Sequence, residues 1–124
     1  MPGVHEISSL SVPSLPRYAR SVRMLAANLA AISKMSLEQV EDVRMIAEEA
    51  FILSCESGVD MVNIEFSLSD ENLAMDFSLG EQDLQMDEHF VYADLILRAI
   101  ADSFEIEEGH LKLEVSARRA NEGE

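Results

Sequence analysis

The sequence predicts an α+β two-layer sandwich, with one mixed, mainly antiparallel sheet of about five strands and three helices on one face. Three observations predict it. Two pairs of alternating apolar runs, each pair split by a short polar turn, read as hairpins. Three longer stretches carry apolar residues at three- and four-residue steps, the period of a one-sided helix. Every strand and helix is then left with one apolar face, and a single sheet with all helices on one side buries all of them.

The first strand is predicted over Val4 to Val12, where Ile7, Leu10 and Val12 stand among serines. Pro13 and Pro16 punctuate its exit, and proline suits the first position of a helix. Helix one is predicted from Pro16 to Lys34, with Leu15, Tyr18, Val22, Leu25, Leu29 and Ile32 as its apolar stripe. Ser36 with Gln39 three residues later fits a capping box and opens helix two. That helix should continue to Glu56, with Gly58 as its terminator. Leu37, Val40, Val43, Ala47, Ala50 and Ser54 form its narrow inner face, while Glu41, Asp42, Glu48, Glu49 and Glu56 fall largely elsewhere.

Val62, Ile64, Phe66 and Leu68 alternate with polar neighbours, and so do Leu73, Met75, Phe77 and Leu79. The turn between the two runs is Ser69 to Asn72. An acidic connector, Gly80 to Glu88, leads to helix three, predicted from Asp87 to Ser103 with Phe90, Leu97, Ile100 and Ala101 inward. Phe104 and Ile106 lead into a second hairpin, Glu108 and Gly109 turn it, and Leu111, Leu113 and Val115 lead out. Residues 1–118 read as one domain and 119–124 as a flexible acidic tail.

Charge narrows the function classes. Nine Lys and Arg face 24 Asp and Glu, a net charge of −15. Binding to nucleic acid or to an anionic membrane is disfavoured, because phosphates need cationic neutralisation. A basic protein partner would be attracted. The sequence contains a single cysteine, Cys55, and neither a secretory h-region nor a membrane-length apolar run, which points to the cytoplasm. Cys55 reads as a small core residue and the seven methionines as core fillers. Asp87, Glu88 and His89 are metal ligands by type only. Adjacent residues at a helix start do not converge on one ion, and Asp87 is a natural N-cap. Arg17, Arg20 and Arg23 give helix one a positive cluster in an acidic chain. It is either a partner-binding edge centred on Arg20 or a set of local pairs with nearby acids.

Three segments carry a resemblance when taken in this order: Tyr18-Ala19-Arg20, the run Glu41 to Ala50 that includes Ala47-Glu48-Glu49-Ala50, and Ala101-Asp102-Ser103 followed by Phe104. Over Ile7 to Arg118 the chain resembles the anti-sigma-factor serine-protein kinases of the GHKL (Bergerat-fold) ATPase superfamily. The resemblance implies a regulator that holds a sigma factor or an anti-sigma antagonist and tends to dimerise. By the same resemblance Glu49 matches the family's catalytic base, and Arg20 matches the arginine that meets protein partners.

The family's nucleotide site is not matched. Its magnesium-ligating asparagine corresponds here to Leu53, and a hard cation demands oxygen ligands. By strand parity the adenine-reading aspartate becomes Leu79. Val91 to Asp94 stand where a glycine-rich phosphate loop is expected, and the connector is shorter than the family's lid and acidic. The expectation is a regulatory protein-binding module with no cofactor and no metal site, in which Glu49 is vestigial and reads as one member of a solvated acidic helix face. The alternative is an active ATP- and magnesium-dependent serine-protein kinase using Glu49 and a shifted alignment through Asp76 and Gly80. A third reading is an acidic mimic of nucleic acid, whose associations would weaken steeply with salt.

Overall fold

The chain order is β1 (Glu6–Pro13), a 3-10 turn (Pro16–Tyr18), α1 (Ala19–Ile32), α2 (Leu37–Cys55), β2 (Met61–Leu68), β3 (Asn72–Ser78), α3 (Glu88–Ile100), β4 (Ser103–Glu107) and β5 (His110–Ser116). The structure is a computed structural model that describes residues 6–81 and 84–117. The predicted tail at 119–124 lies outside the described residues.

The five strands form one sheet in the order β1-β2-β3-β5-β4. Every pairing is antiparallel, so the sheet is not mixed. Strand alternation sets its two faces. Ile64, Phe66, Met75, Phe77, Leu111 and Leu113 point into the helical layer and are buried. Their neighbours Asn63, Glu65 and Lys112 are exposed on the opposite face. A sheet packed on one side and solvated on the other is a common antiparallel arrangement. All three helices therefore lie on one face, and the buried apolar residues form one core.

α1 and α2 pack against each other, and alanines stand on both buried faces: Ala19, Ala26 and Ala30 on α1, Ala47 and Ala50 on α2. Phe51, on α2, is also fully buried. Ser36 accepts from the Gln39 N–H at 3.1 Å, and the Gln39 side chain accepts from the Ser36 N–H at 3.4 Å, so the capping box forms. Gln39 also donates to the Ser116 carbonyl at 2.9 Å, which ties the start of α2 to the end of β5. Asp87 caps α3 by accepting from the Phe90 N–H at 2.9 Å. Gly58 turns the chain out of the helical layer with φ 88°, a conformation that glycine adopts without strain.

Several details differ from the sequence expectation. Helix one opens as a 3-10 turn and ends at Ile32, not Lys34, because Lys34 takes φ 64°. Leu15 and Ile32, expected in its stripe, are exposed: Leu15 precedes the helix, and Ile32 falls off the buried face formed by Val22, Ala26, Leu29, Ala30 and Ser33. Leu37, expected on the inner face of helix two, is 79% exposed at the overhanging first position of α2. The inner face of α2 is also wider than expected and includes Ile46, Phe51 and Leu53. Helix three ends at Ile100, not Ser103, because the extended backbone at Ala101 leads into β4. The methionines are mostly not core fillers: Met35 and Met75 are buried, but Met24, Met45, Met61 and Met86 are exposed. Cys55 is half-buried at the edge of the core. Among the described residues, no helix is long and apolar enough to cross a membrane.

Candidate functional site

Glu49 lies on α2 where the start of α3 crosses it. It is not a member of a solvated face, since its side chain is only 16% exposed. His89, from the first turn of α3, sits over it. The imidazole Nε2 is 3.7 Å from Glu49 Oε1, and Nδ1 is 3.3 Å from Glu56 Oε2. Glu49 Oε1 is buried and has no hydrogen-bond partner among the described residues; 3.7 Å is ion-pair reach, too long for a hydrogen bond. Burial pushes the Glu49 carboxyl above its usual range; His89 opposes that shift, and Glu48 and Glu56 add to it. A buried carboxylate without donors prefers its proton. The two carboxylates meet opposite nitrogens of one ring, so the trio does not converge on a point. Among the described residues, no three His, Cys, Asp or Glu side chains form a metal-ligand set.

The other positions that the resemblance aligns with a nucleotide site hold structural residues. Leu53, one turn beyond Glu49, is fully buried in the core. Val91 to Asp94 lie inside regular α3, where the Val91 N–H donates to the Asp87 carbonyl at 3.1 Å. Amides spent in helix hydrogen bonds are not available to cradle a phosphate. Gly80 abuts the end of α2, and its N–H donates to Ser57 Oγ at 2.8 Å. Asp76 points to the open face of the sheet, where it meets His110 Nδ1 at 2.8 Å. Glu49 and Asp76 thus lie on opposite sides of the sheet and do not converge.

The three arginines of helix one have three different fates. Arg23 reaches across to α2 and pairs with Glu48 at 2.8 Å. The Arg17 guanidinium stands 5.6 Å from the centroid of the Tyr18 ring. Arg20 is exposed and has neither an ion pair nor a side-chain hydrogen bond among the described residues. Local pairing therefore accounts for Arg23 and leaves Arg20 open to a partner. Met24 follows Arg23 and is 61% exposed, which adds a polarisable apolar contact to this surface.

Sequence reasoning weighed His89 only as a metal ligand by type and missed its pairing with Glu49 and Glu56. Its signal was only its type and its place in the first turn of helix three. Its pairing with Glu49 and Glu56 depends on how α3 crosses α2, which no local pattern encodes. No protein-family model matches the chain, and no curated protein sequence is significantly similar to it.

Proposed function

We propose that the chain is a cytoplasmic regulatory module of the anti-sigma-factor, partner-switching type that binds protein without binding ATP. Its partner, a sigma factor or an anti-sigma antagonist, meets the surface of α1 around Arg20 and Arg17, and the module is able to self-associate. The observation that carries the loss of nucleotide is the fully buried Leu53, one turn beyond Glu49. A core leucine offers no ligand to magnesium and cannot be exposed without opening the core. The helical Val91 to Asp94 segment supports the same reading. The unpaired Arg20 supports the choice of surface.

The test is thermal unfolding with and without MgATP. A ligand at one hundred times its Kd adds about 2.7 kcal/mol to stability, a shift of several degrees in a chain of this size. No shift at millimolar MgATP is the expected result, and a clear rise would overturn the reading.

One observation favours a second reading, an active serine-protein kinase. Glu49 is half-buried with its carboxyl pushed above the usual range, the direction in which general bases are tuned. Transfer of labelled phosphate from ATP to a serine-bearing antagonist, lost in Glu49→Ala, would establish it.

A further inference from the structure

An open groove of about 1070 Å³ lies between residues 79–81, Leu84 and Met86, one flank of α3 and the β4–β5 turn. Its apolar lining comes from Leu79, Leu84, Phe90 and Ile106. Met86 on the rim is 76% exposed. The apolar surface does not stop at the groove. Val91 and Leu95 are exposed on the neighbouring face of α3, next to the flank that carries Phe90, Asp94 and Arg98. Apolar side chains thus continue from the groove onto the exposed face of α3, with the Asp94–Arg98 pair set among them.

Charge identifies what fits this surface. Glu81, Asp94, Glu107 and Glu108 border the groove, and Arg98 is its only cation among the lining residues. Arg98 is already engaged: its Nε donates to Asp94 Oδ1 at 3.0 Å, and its guanidinium stands 5.0 Å from the centroid of the Phe104 ring. Glu107 is within 3.6 Å of Lys112 Nζ, while neither Glu81 nor Glu108 has an ion pair among the described residues. The whole chain is acidic, at −15, so a second copy would bring repulsion to the same rim. An anionic ligand would meet the same carboxylates.

We propose that this groove and the adjoining face of α3 bind an amphipathic helix with a basic flank, supplied by another protein. The apolar side of that helix enters between Phe90 and Ile106 and lies along Val91 and Leu95. Its Lys or Arg residues face Glu81 and Glu108. Helices dock in grooves through anchors at three- and four-residue spacing, which lets one apolar side reach both the groove and the exposed Val91 and Leu95. The surface shares no residue with the arginines of α1, so it does not rest on the function proposed above.

The test uses the whole chain and a fluorescein-labelled peptide of about 14 residues, four helical turns, with leucine on one face and lysine on the other. Binding by anisotropy is expected, weakening with salt as exposed charge pairs are screened. The same peptide with glutamate for lysine is expected not to bind. Ile106→Gln and the double variant Glu107→Lys/Glu108→Lys are each expected to weaken binding at least about tenfold, a loss of about 1.4 kcal/mol, while Leu37→Gln on α2 leaves it unchanged. Amide shift mapping on the unaltered chain should confine the perturbation to 79–81, 84–98 and 106–109. Equal binding of both peptides, unchanged affinity in the groove variants, or shifts centred on α1 or the open sheet face would each overturn the proposal. So would sedimentation showing a dimer of the chain that Ile106→Gln dissociates, because the groove would then belong to a second copy.

Discussion

A Cβ placed on Gly80 would stand 2.3 Å from the Ser57 carbonyl oxygen, so the end of the first hairpin and the end of α2 meet backbone to backbone. The Gly80 N–H donates to Ser57 Oγ at 2.8 Å, and Ser57 Oγ donates in turn to the Ser54 carbonyl at 2.6 Å. Gly80 is therefore needed for packing, whatever else the connector does. Gly80→Ala should destabilise the chain by about 1–3 kcal/mol, the usual cost of forcing extra volume into a packed site. Urea unfolding would read it as a lower midpoint with an unchanged slope.

Glu49 links stability to pH. Its folded pKa lies above its unfolded value, with burial as the main cause. The native state then holds the proton more tightly than the unfolded chain. The stability this provides is present below the unfolded carboxylate pKa and is lost as pH rises through the folded value. Glu49→Gln should therefore be more stable than the parent at neutral pH, and the difference should vanish in acid below the ordinary glutamate range. Unfolding midpoints across pH would show this as converging curves; parallel curves would contradict it.

The pairing of Arg23 with Glu48 is the contact between α1 and α2 most accessible to a double-mutant cycle. Their side chains are 27% and 35% exposed at a separation of 2.8 Å. A coupling energy of up to about 1 kcal/mol is expected for a pair this exposed. Arg20→Ala, in contrast, should change stability by no more than about 0.5 kcal/mol, as at other exposed sites without partners.

Ser36→Ala removes the side-chain acceptor of the capping box and should cost about 0.5–2 kcal/mol. Ser36→Asp should recover most of this, because aspartate caps equally well and also suits the positive end of the helix. Chemical denaturation of the two variants side by side distinguishes loss of the cap from a general disturbance.

Cys55 should be slow to alkylate. Burial raises its thiol pKa, a hydrogen bond with Ser14 opposes the shift, and Glu56 adds to it. The thiolate is the reactive species, so iodoacetamide should label the folded chain more slowly than a cysteine peptide at the same pH. Denaturant should remove the difference.

The hairpins and caps were legible in the sequence because they are local. Alternation between residues 62 and 79, the turn at Ser69 to Asn72, and the caps at Ser36 and Asp87 each lie within a few residues of what they specify. The helix ends were less legible. Nothing in Ile32 to Met35 marks the positive φ that Lys34 takes, and Leu37 has the periodicity of a buried residue but sits where the helix overhangs the core. The candidate site was legible only in part. Leu53 and the helical character of Val91 to Asp94 follow from spacing. The burial of Glu49 beneath His89 is a contact between two helices far apart in the chain. The methionines show a similar limit: helical spacing is the same for a residue that faces the core and for one that faces a partner.

The fifth strand in chain order lies inside the sheet, between β3 and β4. During synthesis β2 and β3 emerge and can pair while the partner of β3 over Asn72 to Ser78 is still unmade. At about 5–20 residues per second, that strand edge waits on the order of seconds on the ribosome. An open edge backed by apolar residues invites pairing with another chain. Strong like charge on neighbouring chains opposes such encounters, and this chain carries a net charge of −15.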